Sequence, residues 1–256
     1  MSELINNFLK SIDIFDYLKI FKDNYLKNSY LKDVEKKRID FYSKIIAKND
    51  LCFDIGANYG NRTEVFLRLG AKVVAVEPQP QLVKFLKRKY KNNIELVNKA
   101  VGTKSGKTIM YLSSASTLAS MSEDWISKVK NTRFKTQNWE KEIEVNLITV
   151  DDLIKAYGKP DFIKIDVEGY ELEVLKGLTQ TTNIISFEYT IPEFIDKTIE
   201  CINYLETLGS IKCNYSSGET MQFGLTEWVL PGDFIKIFKG LPVQGIIDGD
   251  IYVKFI

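Results

Sequence analysis

Three groups of residues in this sequence have the types and spacing that chemistry requires. The first is Asp54-Ile55-Gly56-Ala57-Asn58-Tyr59-Gly60-Asn61-Arg62-Thr63. Glycine has no Cβ and tolerates positive φ, so such a turn lets a ligand come close to the backbone. A helix starting just after it would aim its free N–H groups at that ligand. The second is Glu77, where a carboxylate at a strand end can accept hydrogen bonds from both hydroxyls of a ribose. The third is Lys164-Ile165-Asp166-Val167-Glu168-Gly169-Tyr170-Glu171, which gathers a lysine and three carboxylates in one short stretch.

The turn and Glu77 together describe a site for an adenosine-type ligand. A dinucleotide demands G-x-G-x-x-G, and Asn58 stands where the second glycine should be. The Walker pattern G-x-x-x-x-G-K-[ST] is absent. S-adenosylmethionine carries no phosphate, and its ammonium and carboxylate suit Asp54 and the turn backbone better. The chain has no histidine. That removes Ser-His-Asp and Cys-His catalysis and the commonest metal ligand. A general base must then be Asp, Glu, Lys, Tyr or a water.

These groups need elements to hold them. From Leu51 onward, apolar runs alternate with helical spacing. Strands are expected at 51–55, 72–77, 94–98, 161–166 and 184–188, and helices at 61–69, 79–91, 170–178 and 193–208. Continuous apolar strands joined by helices indicate an α/β doubly wound sheet, mostly parallel, with helices on both faces. Ligands in such sheets bind beyond the carboxyl ends of the strands. That places the loops at 56–60, 77–80, 98–102, 166–169 and 188–192 on one edge. Residues 99–150 break the rhythm and read as an inserted hairpin and loop. Within it, the small polar stretch Ser113–Ser120 reads either as a contact to cofactor or substrate or as a solvated loop. The tail has strand signals at 212–215, 226–230 and 250–256, which would complete the sheet antiparallel. Asp248-Gly249-Asp250 reads as a turn in the last hairpin. Residues 1–47 have apolar residues at helical spacing and read as N-terminal helices before a domain at 48–256. They could form a lid or an oligomer contact; simple packing against the domain is the favoured reading.

The bulk numbers limit the partners. Thirty-five basic and 34 acidic residues leave a net charge of +1, which gives no general argument for nucleic acid. The cluster Lys36-Lys37-Arg38 reads as a solvated helix face. Cysteines 52, 201 and 213 stand alone, so neither a zinc site nor a disulfide framework is expected. There is no apolar run of membrane-span length and no signal-peptide pattern, and a cytoplasmic location is expected.

Taken in order, Asp54-Ile-Gly-Ala-Asn-x-Gly-x-x-Thr63, Glu77-Pro78, Asn98-x-Ala100-Val101-Gly102, Ser116-Thr117-Leu118, Val150-Asp-x-Leu153 and Lys164-Ile-Asp166-Val-Glu168-Gly169-x-Glu171 resemble the FkbM family of class I methyltransferases. The resemblance covers about residues 51–190, with Gly249-Asp250-Ile-Tyr252 also similar. It implies a Rossmann-like seven-stranded sheet with the last strand antiparallel. It implies S-adenosylmethionine as cofactor and methyl transfer to oxygen, often a hydroxyl of a sugar, glycan or other small metabolite. Carried over by position, Asp54, Gly56, Ala57, Asn58 and Gly60 would hold the amino-acid end, and Thr63 would support the turn. Glu77 and Pro78 would take the ribose side, and Ala100 and Val101 would border the adenine.

In that setting Asp166 is the first candidate for base or orienter, and it also faces the cofactor. Glu168 and Glu188 follow, and Lys164 could orient or neutralise a carboxylate. No metal site is assigned, although Asp166, Glu168 and Asp250 offer hard oxygens for a divalent ion. The other readings are nitrogen or carbon methylation and a non-catalytic cofactor-binding protein. Methylation of a nucleic-acid base is disfavoured, because Asp166-Val-Glu-Gly stands where an Asp/Asn-Pro-Pro-Tyr/Phe segment would be.

Overall fold

A computed structural model describes residues 33–256. Residues 1–32, where most of the expected N-terminal helices fall, lie outside the described residues. Helix α1 covers 33–42. The main run is then β1 (Leu51–Ile55), α2 (Asn61–Arg68), β2 (Lys72–Val76), α3 (Pro80–Tyr90) and β3 (Glu95–Val97). The insertion carries β4 (Ala100–Val101), β5 (Gly106–Leu112), α4 (Glu123–Thr132) and β6 (Lys141–Ile148). The chain resumes with α5 (Val150–Tyr157), β7 (Phe162–Ile165), α6 (Glu171–Leu175), β8 (Ile184–Thr190), α7 (Ile195–Leu208), β9 (Ile211–Ser217), α8 (Pro231–Gly240) and β10 (Asp248–Phe255).

Seven strands form one sheet in the order β3-β2-β1-β7-β8-β10-β9. The pairs β3-β2, β2-β1, β1-β7 and β7-β8 are parallel, and β10 runs antiparallel to both β8 and β9. This is the expected Rossmann-like sheet with its last strand reversed. Successive side chains of a strand point to opposite faces, and the core divides accordingly. Cys52, Phe162 and Tyr252 pack with Phe41, Tyr42 and Phe66 on one face. Phe53, Ile163, Ile165 and Phe187 pack with α5, α6, α7 and α8 on the other. Phe41 and Tyr42 bring the end of α1 into this core.

Several expectations are corrected. The insertion contains the expected antiparallel pair, β5 with β6, but β4 joins it to make a separate three-stranded sheet, β4-β6-β5, and the connection carries helix α4. Short polar runs hid α4, which Ser122 caps by accepting from Trp125 N at 3.2 Å. Residues 226–230 form no strand; Val229 makes only an isolated bridge to Cys213, and α8 follows from Pro231. Asp248-Gly249-Asp250 is no turn either. It opens β10 and is paired on both sides. Cys52, Cys201 and Cys213 are free and buried, as their isolation in sequence suggests. Among the described residues no helix is long and apolar enough to cross a membrane.

Candidate active site

The carboxyl ends of β1, β2 and β7 carry the site. After β1 the chain turns at Gly56, whose φ is +83°. A Cβ there would lie 1.8 Å from the Asp166 carbonyl oxygen, so only glycine lets the turn after β1 and the turn after β7 touch. Gly60 stands at the start of α2. A Cβ on it would meet the ring of Tyr90, whose hydroxyl donates to the Gly60 carbonyl at 2.7 Å, so the turn packs closely against α3 there. Thr63 is behind the site: it is fully buried and donates to Asp54. Burial pushes the Asp54 carboxyl up, against the opposing effects of the Thr63 hydrogen bond and Lys164.

Three cavities meet along this edge. The first, about 470 Å³, is bordered by Val76, Glu77, Pro78, Ala100 and Val101. Met110, Ser116, Thr117, Ala119 and Met121 of the insertion close it. The second, about 630 Å³, is lined by Asp54, Gly56, Ala57, Asn58, Asn61 and Arg62, with Arg38 and Glu219 at its rim. The third, about 420 Å³, is lined by Arg62, Asp166, Glu188, Glu219, Asp248 and Asp250. Asp166 is the one residue that lines all three.

Glu77 is 2% exposed. One of its oxygens accepts from Asn58 N at 2.9 Å and the other from Gln79 N at 2.8 Å. Burial raises its pKa to about 7 in spite of these bonds. Asn98 holds the same loop, donating to the carbonyls of Glu77 and Pro78 at 3.0 Å each. The insertion is tied down over the first cavity: Gln79 Nε2 donates to Ser116 O at 3.0 Å, and Ser120 Oγ donates to Glu168 O at 2.6 Å. The stretch 113–120 is thus a cavity wall, with Ser116, Thr117 and Ala119 facing inward.

Oxygens of Asp166, Glu168 and Glu188 lie within 4.8 Å of one another. Asp250 is outside that group; its Oδ1 pairs with Lys164 Nζ at 3.0 Å. Burial, and then repulsion among neighbouring carboxylates, push Glu168 and Glu188 well above the usual carboxylate range. Lys164 is 1% exposed. Its Nζ also pairs with Asp166 Oδ2 at 3.3 Å. Burial works against its charge, but Asp166 and Asp250 outweigh burial and keep it protonated.

Arg38 corrects the expectation of a solvated basic cluster. It and Arg62 both bind Glu219, at 3.1 and 2.6 Å, which braces α1 and α2 against the loop after β9. Sequence reading also missed Gln79, Met110, Met121 and Glu219. Gln79 lies in the loop at 77–80 already placed on this edge, but nothing local marks its side chain; Met110, Met121 and Glu219 reach the site through the insertion and the loop after β9.

The motifs, the sheet order and this edge agree with a family comparison. The model of the methyltransferase FkbM domain matches residues 54–216. The chain belongs to the FkbM methyltransferase family. The hexuronic acid methyltransferase AglP of Haloferax volcanii is 29% identical over 142 residues, 55% of this chain and 54% of AglP. The chain thus spans about half the length of this curated relative. Among solved structures, a TehB-like SAM-dependent methyltransferase from Corynebacterium glutamicum has a TM-score of 0.46 at 9% identity, covering 93% of this chain and 98% of that one. The precorrin-6y C5,15-methyltransferase from Geobacter metallireducens has a TM-score of 0.43 at 14% identity, covering 85% and 86%. Within the FkbM domain, Val150 and Leu153 are buried core residues, and Asp151 accepts from Thr179 N at 3.1 and 3.2 Å. That part of the family pattern is structural.

Proposed function

We propose that this chain transfers a methyl group from S-adenosylmethionine to a hydroxyl of a sugar or other polyhydroxylated small molecule. The observation that carries this reading is the convergence of three cavities on Asp166. The residues present fit the cofactor. The first cavity offers apolar walls to a purine, with Glu77 on the ribose side. The second offers carboxylates to a cation, and Asn58 Oδ1 there is buried without a partner. Asp54, Gly56, Ala57 and Asn58 would hold the amino-acid end, Glu77 and Pro78 the ribose, and Ala100 and Val101 the adenine. When bound, the cofactor supplies an electrophilic methyl group on a sulfonium.

The chain's own residues then have two tasks. The first is alignment, because in-line displacement depends on holding nucleophile and methyl in register. Asp166, common to every cavity, orients the acceptor hydroxyl. The second is proton removal, since an unaided hydroxyl is a poor nucleophile. Glu188 lines the third cavity and Glu168 the first two, so Glu188 faces the acceptor and Glu168 the cofactor. Burial and neighbouring carboxylates push both groups up, and a more basic carboxylate is a better proton acceptor than an ordinary one. Glu188 is therefore the proton acceptor in this reading, and Asp166 the orienter. The similarity to AglP, a hexuronic acid methyltransferase, supports a sugar-like acceptor.

Titration calorimetry with S-adenosylmethionine and NAD tests the cofactor; binding of the former alone is expected. Release of S-adenosylhomocysteine in the presence of hydroxylated sugars tests the reaction. No heat with S-adenosylmethionine would end the proposal.

A further inference from the structure

Lys164 is a fully buried ammonium, and its three bonding partners are unequal. Asp250 Oδ1 lies at 3.0 Å, the carbonyl oxygen of Ile165 at 3.2 Å and Asp166 Oδ2 at 3.3 Å. The Asp250 side chain is 8% exposed, whereas that of Asp166 is 41% exposed. One carboxylate is thus sunk into the protein and the other stands in the cleft, with a single cation between them. Asp250 comes from the antiparallel strand β10, opposite Glu188 on β8 and Ser216 on β9. The strand approaches closely because of Gly249, where a Cβ would lie 2.0 Å from the Ser216 carbonyl oxygen. Tyr252, two residues on and on the same face of the strand, places its hydroxyl 3.5 Å from the other oxygen of Asp250.

We propose that Asp250 is a positioning residue: through Lys164 it fixes the carboxylate of Asp166 where the three cavities meet. The inference rests on the functional reading of that junction. Asp250 anchors the ammonium from the buried side, and the ammonium fixes the exposed carboxylate. A side chain that is 41% exposed would otherwise sample several rotamers, and ordering it on binding costs conformational entropy. Pre-ordering Asp166 removes that cost from the reacting complex. Displacement by about 1 Å at such a point can cost on the order of a hundredfold in rate.

The test uses Asp250→Asn and Asp250→Glu in the full chain. In the cofactor-free protein, ¹³C NMR of the Asp166 carboxyl and ¹⁵N NMR of the Lys164 ammonium are expected to move in Asp250→Asn. With S-adenosylmethionine, Asp250→Asn is expected to bind within about threefold of wild type and keep its acceptor KM within about threefold. Its kcat falls by about ten- to a hundredfold, and Asp250→Glu recovers most of it. An unmoved Asp166 carboxyl, or wild-type kcat in Asp250→Asn, overturns the proposal. So does a kcat loss that merely follows the fraction unfolded in a melt. A wild type that binds cofactor yet releases no product strikes the functional reading instead, and the NMR result then judges the Lys164 linkage by itself.

Discussion

The carbonyl oxygen of Asp166 lies 1.8 Å from where a Cβ on Gly56 would stand. The two strongest motifs of the sequence, one after β1 and one after β7, are therefore in backbone contact. Replacing Gly56 by alanine forces them apart and strains a residue at φ +83°. The expected cost is about 2–4 kcal/mol in urea unfolding, with cofactor binding weakened at least about tenfold by calorimetry.

Glu77 is expected to make cofactor binding depend on pH. Its carboxyl is pushed up to about 7 by burial. The ionised form accepts ribose hydroxyls best, so affinity should rise as pH increases through about 7 and level off above it. Glu77→Gln should bind about 10–100-fold more weakly, because a charge-assisted hydrogen bond is worth roughly 1.5–3 kcal/mol, and should show no such rise. An unchanged pH dependence in Glu77→Gln would remove this residue from the ribose role.

Glu188 is expected to set the acidic limb of the rate profile. As a base it must lose its proton first, so kcat should climb as pH rises past a midpoint above the ordinary carboxylate range. Glu188→Gln should lower kcat about a hundredfold or more and abolish that limb. Retention of the limb in Glu188→Gln would move the base role to Glu168.

Lys164→Met should destabilise the fold by about 3–5 kcal/mol, because it leaves Asp250 and Asp166 without their cation. Adding Asp250→Asn should recover part of the loss, because it removes one of the unpaired negative charges. Denaturant unfolding of the single and double variants measures both. No recovery in the double variant would mean that packing of the lysine stem, not its charge, carries the stability.

Some site residues were legible in sequence because the chain local to them dictates their place. A turn between a buried strand and a helix has few conformations, so Asp54, Gly56 and Asn58 could be assigned from order alone. Glu77 followed from the end of the next strand. Thr63 was expected to support the turn and does so by donating to Asp54, while Gly60 packs against Tyr90. Spacing cannot separate a residue that touches a ligand from one that packs under it.

What the sequence by itself determined was the alternating run from β1 to β8, the carboxylate cluster at 166–171, and the resemblance that joined them. Those features repeat within a few residues, where backbone sterics and the hydrophobic pattern decide. Tertiary structure alone decided that Asp250, read as a turn residue, lies under the site on a reversed strand. It alone put Arg38 and Glu219 at the rim and folded the insertion over the cavity beside Glu77. These depend on which distant segments pair, and pairing is set by the burial of whole faces, which no local window contains.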